Sequence, residues 1–541
     1  MTNETAAPAR PVRTLPAPAP YVARHPAHAG LYIAAATLIS LTQGLGLNLI
    51  SSNLPNVQGS LSLTTTETVW LMAAYLAPNV SLTLMMTKIR AQFGLRRFAE
   101  CAIVAFVAIS AMHLFVTDFR SALLVRFFAG VAASPLSTLA FLYMLETFPP
   151  EKKMTMGVTF AVINISIAMP VARLVSPLLT DMGDFASLFS LEMAMAMLSL
   201  AAIFFLPLNP PARAQVFEPL DFVSYILIAI GLGAIAVTAT VGPYDWWLEA
   251  RWIGWTLAVG IAALSAAGMI ELNRSNPLVD LRWILSPQIL HFAGILLLFR
   301  LILSEQTSGA SGFFQAIGLR NEQMTALYVV MLASTVLAGL ATAAVMKPGR
   351  APAIHAAALA LLSVGAFMDA HATNLTRPEN MLVSQSMIAM AGVMFLPPAL
   401  AMGFMAAMKK GMNYLLSFLI VFLTTQSLGG AVGSAIFRTV VTLREKFHSQ
   451  ALVENVVMSD PTVAARIARM GAAYAPTTPD PTIQQARALA ALSAQATREA
   501  TILAYNDAFL LVSGLSAFGL GCLLLHVLFR HIFPPTEPAA T

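Results

Sequence analysis

Fourteen apolar runs, most of them near 20 residues long, recur from end to end of this 541-residue chain. At 1.5 Å of rise per residue, about 20 apolar residues is the length at which an α-helix crosses the hydrocarbon of a bilayer. Lipid forbids unsatisfied backbone polar groups, so a spanning segment is either a helix or a strand of a closed barrel. Runs this long and uniformly apolar are not the short alternating strands of a barrel. The expected spans are 30–52, 69–88, 98–116, 121–146, 155–178, 186–207, 221–242, 252–271, 288–307, 324–346, 352–372, 382–407, 414–440 and 504–530. Composition agrees: 57% of the residues are hydrophobic and 11% charged, where a soluble domain carries about 25% charge. The first run is not read as a cleaved signal, because about thirty polar and Pro-rich residues precede it and further spans follow.

The placement of the 31 Lys and Arg residues sets the expected orientation. With the N-terminus in the cytoplasm, seventeen of them fall in cytoplasmic tails and loops. The short outer loops hold four, Arg120, Arg251, Arg320 and Arg377. Positive charge stays inside, so the chain is expected to carry both termini in the cytoplasm. The net charge of +5 is accounted for in this way and is not read as nucleic-acid binding. Residues 1–28, with PAPAP and scattered Arg and His, are expected to be a disordered tail. The large extramembrane piece is 441–503, expected on the outer side. It holds two helical stretches, RIARMGAAYA and IQQARALAALSAQATREA, separated by the breaker APTTPDPT. In the second, Leu489, Leu492, Ala496, Ala500 and Leu503 recur at helical spacing on one face. Such a segment either docks an outer partner or caps the chain's own outer face.

Several stretches carry a family resemblance. LDFVSYILIAIGLGAIAVTATVGPYDWW (220–247), FFQAIGL (313–319) with Gln315, SLGGAVGSAI (427–436) followed by Arg444 and His448, and AYNDAFLLVSGL (504–515) occur in order and at the right spacing. Together they resemble the fourteen-helix drug–proton antiporters of the major facilitator superfamily, the EmrB/QacA-like kind. In the loop TKIRAQFGLRR (87–97), Gly94, Arg96 and Arg97 match that family's cytoplasmic gating motif, while Thr87 and Ala91 replace its first glycine and its aspartate. Arg126 and Gly130 match the span-four motif, with Ala129 in place of the usual glutamine. Span five has Pro170 and Pro177 without the family's glycines, and Gly46 stands where the first helix usually bears an acid.

The resemblance implies an all-α membrane fold: a six-helix half over 29–207, two inserted helices over 208–272, and a second six-helix half over 273–530. That second half contains the periplasmic loop 441–503, and a cytoplasmic tail follows over 531–541. It implies secondary active export of lipophilic drugs or aromatic acids in exchange for protons, from a bacterial inner membrane. It also implies a periplasmic adaptor and an outer-membrane channel as partners.

Ionisable groups in the bilayer core are expensive and usually face a partner or a cavity. Arg126, Arg173 and Glu192 lie five or six residues inside the outer ends of consecutive spans, at a common depth of ~8 Å, and are expected to cluster. Glu192 is the best-placed proton carrier of the first half. In the second half Arg300 and Glu305 are five apart in span nine, a spacing that does not stack them on one helix face. Glu305 is expected to reach water or another helix, and Asp369 and Asp507, at outer helix ends, to be solvated. Arg126, Arg173, Glu192, Arg300, Glu305 and Gln315 are therefore the candidate coupling and substrate-pathway residues.

No cofactor or metal is expected. Two cysteines far apart, Cys101 and Cys522, make no metal cage, and no GxxxxGK[ST] phosphate loop points to ATP-driven transport. An embedded enzyme would need a constellation such as HExxH or GxSxG, and neither occurs. The remaining alternative is a degenerate, non-transporting scaffold or sensor of the same fold, motivated by the missing acids.

Overall fold

The structure, a computed structural model, describes residues 25–533 apart from 181–184, 209–214, 275, 276, 411, 455 and 458. The described residues form helices joined by turns, with no strand among them. Among the described residues thirteen helical stretches are long and apolar enough to cross a membrane, and each overlaps one of the expected runs. The run at 414–440 falls in the Met412–Glu454 helix, several of whose side chains lie outside the described residues. Of the tails expected over 1–28 and 531–541, residues 1–24 and 534–541 lie outside the described residues. Residues 26–28 correct the first of these boundaries: they are already helical, with Pro26 at the first turn of Pro26–Ser52 and the His25 side chain capping it. Proline suits that position because its missing N–H would be unsatisfied there anyway.

Local chemistry explains where the helices begin. Thr64 and Glu67 form a reciprocal cap before Thr65–Phe93, and Asp118 and Ser121 do the same before Phe119–Thr147. The loop expected over 441–503 is not a separate domain. It consists of the far end of Met412–Glu454, the short helix Pro461–Ala472, and the first part of one 52-residue helix, Pro481–Ile532, that continues into the last span. Its two internal helices start with the same device, Asp460-Pro461-Thr462 and Asp480-Pro481-Thr482. In each the carboxylate accepts the N–H of the threonine, at 2.7 and 2.8 Å. The stretch read as a breaker is thus the stop of one helix and the cap of the next.

By backbone proximity the chain falls into two compact units. One comprises 1–161, 184–297 and 400–428; the other comprises 162–183, 298–399 and 429–541. In the first unit Tyr32 and Tyr143 donate to the carbonyls of Pro207 and Leu206, at 2.8 and 2.9 Å. Gly130 is where Phe119–Thr147 crosses Thr65–Phe93: a Cβ there would run into the Tyr75 carbonyl, so only glycine permits the approach. In the second unit a Cβ at Gly339 would meet the Ile163 side chain at 2.3 Å.

Candidate functional site

Each unit holds a buried cluster of ionisable side chains. In the first, Arg126 is fully buried on Phe119–Thr147 and Glu192 is 1% exposed on Phe185–Phe205. Arg126 Nη2 donates to the carbonyl oxygen of Gly46 at 2.7 Å. Its guanidinium lies over the Tyr75 ring, 4.3 Å from the centroid, a geometry that stabilises a desolvated cation. Its Nε and Nη1, and both carboxylate oxygens of Glu192, are buried and make no hydrogen bond. His113 is stacked on Phe189 at 4.0 Å and closes the cluster. The position that lacks the family's acid therefore still serves the arginine, through its backbone oxygen. A Cβ at Gly46 would meet the Tyr75 hydroxyl at 2.8 Å, so this site has no room for an acidic side chain as it stands.

In the second unit the structure joins two acids that the sequence separated. Glu305 is fully buried and meets another helix, one of the two surroundings expected for it, whereas Asp369, 2% exposed, is not solvated as expected. The Nε2 of Gln385 donates to Glu305 Oε1 at 2.8 Å and to Asp369 Oδ2 at 2.7 Å. Ser384 donates its hydroxyl to Asp369 Oδ1. Among the described residues every side chain hydrogen-bonded to the two carboxyls is thus neutral. Glu305 Oε2 and Gln385 Oε1 are buried and have no partner. Glu305 is lodged at a break: Pro287–Ile302, Ser304–Ser308 and Ala310–Ala316 are three short helices in sequence. A Cβ at Gly309 would stand 2.8 Å from Glu305 Oε1, so glycine makes room for the carboxyl to fold back on its own helix.

The other candidates are scattered. Arg173 belongs to the second unit, where Nη1 donates to Asn321 Oδ1 at 3.3 Å and to the Tyr328 hydroxyl at 3.2 Å. Arg300 packs its guanidinium against Gly430, where an added Cβ would stand 3.3 Å away. Gln315 is exposed near the end of Ala310–Ala316, and its carbonyl orders the turn at Gly318. Gly94 is the one-residue joint between Thr65–Phe93 and Leu95–Met112, with φ of +86°, a backbone conformation that favours glycine. Arg96 and Arg97 are exposed, and Arg96 pairs with Glu100 at 2.8 Å. Asp507, expected in solvent, accepts from Arg444 and His448 at 2.6 Å each.

The sequence reading missed a third cluster, where Thr65–Phe93 meets the helices Pro219–Asp245 and Arg251–Leu272. Asp221, with no exposed side-chain surface, accepts from Lys88 at 2.6 Å and from Arg274 at 2.7 Å. Arg274 also holds Glu218 and Glu271, each at 2.9 Å. The signal was present as acids at the start of one span and the end of the next, but their partners are up to 133 residues away. Among the described residues no group of three or more His, Cys, Asp or Glu is placed to hold a metal ion.

A family model described as the Major Facilitator Superfamily matches residues 36–434. The chain belongs to that superfamily. The chain is 22% identical to the multidrug export protein EmrB of Haemophilus influenzae over 247 residues, which are 46% of this chain and 48% of that protein. It is 24% identical to the fatty acid resistance protein FarB of Neisseria gonorrhoeae over 234 residues, 42% and 44% of the two chains. These matches span about half the length of the curated relatives. Among solved structures, a POT family transporter superposes with a TM-score of 0.58 at 12% identity, over 94% of this chain and 97% of that one. The human organic anion transporter MFSD10 superposes with a TM-score of 0.55 at 13% identity, over 91% and 100%. At such identities they establish the fold alone. This major facilitator protein is a multi-pass membrane protein of a transporter family, with three buried clusters of ionisable groups among its described residues.

Proposed function

We propose that the chain is a secondary active exporter of lipophilic or aromatic small molecules, driven by proton antiport across a bacterial inner membrane. The observation that carries this reading is the Glu305–Gln385–Asp369 bridge. Two ionised carboxylates buried beside neutral donors are penalised by desolvation, with no cation to offset it. The favoured state shares a proton between them, and the unpartnered Glu305 Oε2 and Gln385 Oε1 give that proton a place to bond. A group that holds a proton in one conformation and releases it in another is what coupling requires. The relatives named as multidrug export and fatty acid resistance proteins support a lipophilic cargo. The charge asymmetry of the loops supports fourteen spans with both termini in the cytoplasm. The extended helices Met412–Glu454 and Pro481–Ile532, with Phe447, Val453 and Ile483 exposed, are the surface proposed to meet a periplasmic adaptor and, through it, an outer-membrane channel.

The test is reconstitution of the full chain in proteoliposomes with an imposed pH gradient and a panel of fluorescent lipophiles and aromatic acids. Uphill accumulation abolished by an uncoupler is the expected result. Movement only down the substrate's own gradient would remove proton coupling, and no movement across the panel would favour the scaffold alternative.

A further inference from the structure

Within the second unit Arg173 is a buried cation without an anion. It is 6% exposed and lies in a helical stretch, Pro150–Leu179, long and apolar enough to cross a membrane. Elsewhere the chain supplies such a group with acids: Arg274 holds three carboxylates, and Arg444 holds Asp507. Among the described residues no carboxylate pairs with Arg173, and its hydrogen-bond partners, Asn321 and Tyr328, are neutral. Both bonds come from Nη1, at 3.3 and 3.2 Å, longer than the roughly 2.7–2.9 Å of an arginine bonded to an anionic oxygen. Nε is buried and has no partner. The Tyr328 ring, 5.5 Å from the guanidinium carbon, steadies part of the charge. A buried charge is costly unless it is paired and hydrogen-bonded, so this arrangement is short of one anion.

The surroundings specify which anion fits. A single guanidinium is neutralised by a monoanion, and a doubly charged phosphate would leave excess charge in the helices. Arg320 and Glu322, the neighbours of Asn321 in sequence, are opposite in sign and exposed. Ser311, 1% exposed, accepts the Tyr328 hydroxyl at 3.3 Å, and its own O–H is a further donor. The planar donor set of arginine matches a carboxylate. An ion such as chloride would give up its hydration with nothing to offset the loss, whereas an apolar tail gains by leaving water. Leu178 and Val329, exposed on the helices that carry Arg173 and Tyr328, offer apolar surface to such a tail.

From these features we infer that Arg173, with Asn321, Tyr328 and Ser311, forms a binding site for the carboxylate of a lipophilic monoanion. The inference concerns binding alone and does not depend on proton exchange, so the two can fail separately.

Binding of tritiated decanoate to the full chain in nanodiscs, read by scintillation proximity against empty nanodiscs, tests it. Unlabelled decanoate is expected to displace the label roughly tenfold more effectively than decanamide, the order of one hydrogen bond to a charged group. Phosphate and chloride at the same concentration should not displace it. In Arg173→Gln decanoate is expected to fall to the level of decanamide while decanamide itself is unchanged; a merely structural role would weaken both. Arg173→Lys, which keeps the charge without the planar donor set, should lose less. Tyr328→Phe withdraws the hydroxyl that holds Nη1 and serves, with a smaller selective loss of decanoate, if Arg173→Gln does not yield folded protein. Equal displacement by decanoate and decanamide, decanoate binding unchanged in these variants, or competition by phosphate or chloride as strong as by decanoate would overturn the assignment.

Discussion

Arg126 with Glu192 and Glu305 with Asp369 are both buried in membrane helices, yet they present opposite problems. The first cluster holds one charge of each sign. The arginine is steadied by Tyr75 and the Gly46 carbonyl. The second holds two charges of the same sign, bridged by a neutral amide. Burying both as anions is far costlier than sharing a proton. On the proposed coupling, what faces a buried acid decides whether it carries the proton, and its depth does not. Glu192 is best placed by depth. Glu305 and Asp369 are best placed by their partners, and the proposed coupling role moves to them.

The largest expected effect breaks this comparison directly. Glu305→Gln and Asp369→Asn should each reduce pH-driven counterflow to the level of empty liposomes while substrate exchange persists. Glu192→Gln should remain gradient-driven at a lower rate. If Glu192→Gln loses the pH response and Glu305→Gln keeps it, the roles of the two clusters are reversed.

The next effect is on stability. Arg126→Met leaves Glu192 buried without its counter-charge and should cost about 3 kcal/mol, the order seen when one partner of a buried pair is removed. Arg126→Met combined with Glu192→Leu should recover most of that loss, as read by thermal unfolding in detergent. No recovery in the double variant would show that the two residues do not act as a pair. The smallest effect sharpens the packing argument. Gly46→Ala pushes a methyl into the Tyr75 hydroxyl and should cost about 1–3 kcal/mol as overpacking. Tyr75→Phe in the same chain should relieve it, and an unchanged melting temperature in Gly46→Ala alone would remove the steric reading of that glycine.

The amino-acid sequence alone settled what is local. Hydropathy over 20 residues located the thirteen spans found among the described residues, and the ordered motifs pointed to the superfamily before any coordinates. An expected depth follows from counting residues along an axis at 1.5 Å each. The direction each side chain takes around that axis does not, since it depends on how neighbouring helices rotate and pack. That is why the sequence could not place Arg173 against Asn321 and Tyr328. Asp369, at a helix end that reads as solvated, meets Gln385 and Glu305 for the same reason. It is also why Lys88 closes on Asp221 across 133 residues of chain. Only tertiary structure decides such pairings, because the burial cost that selects them exists only once the helices have come together.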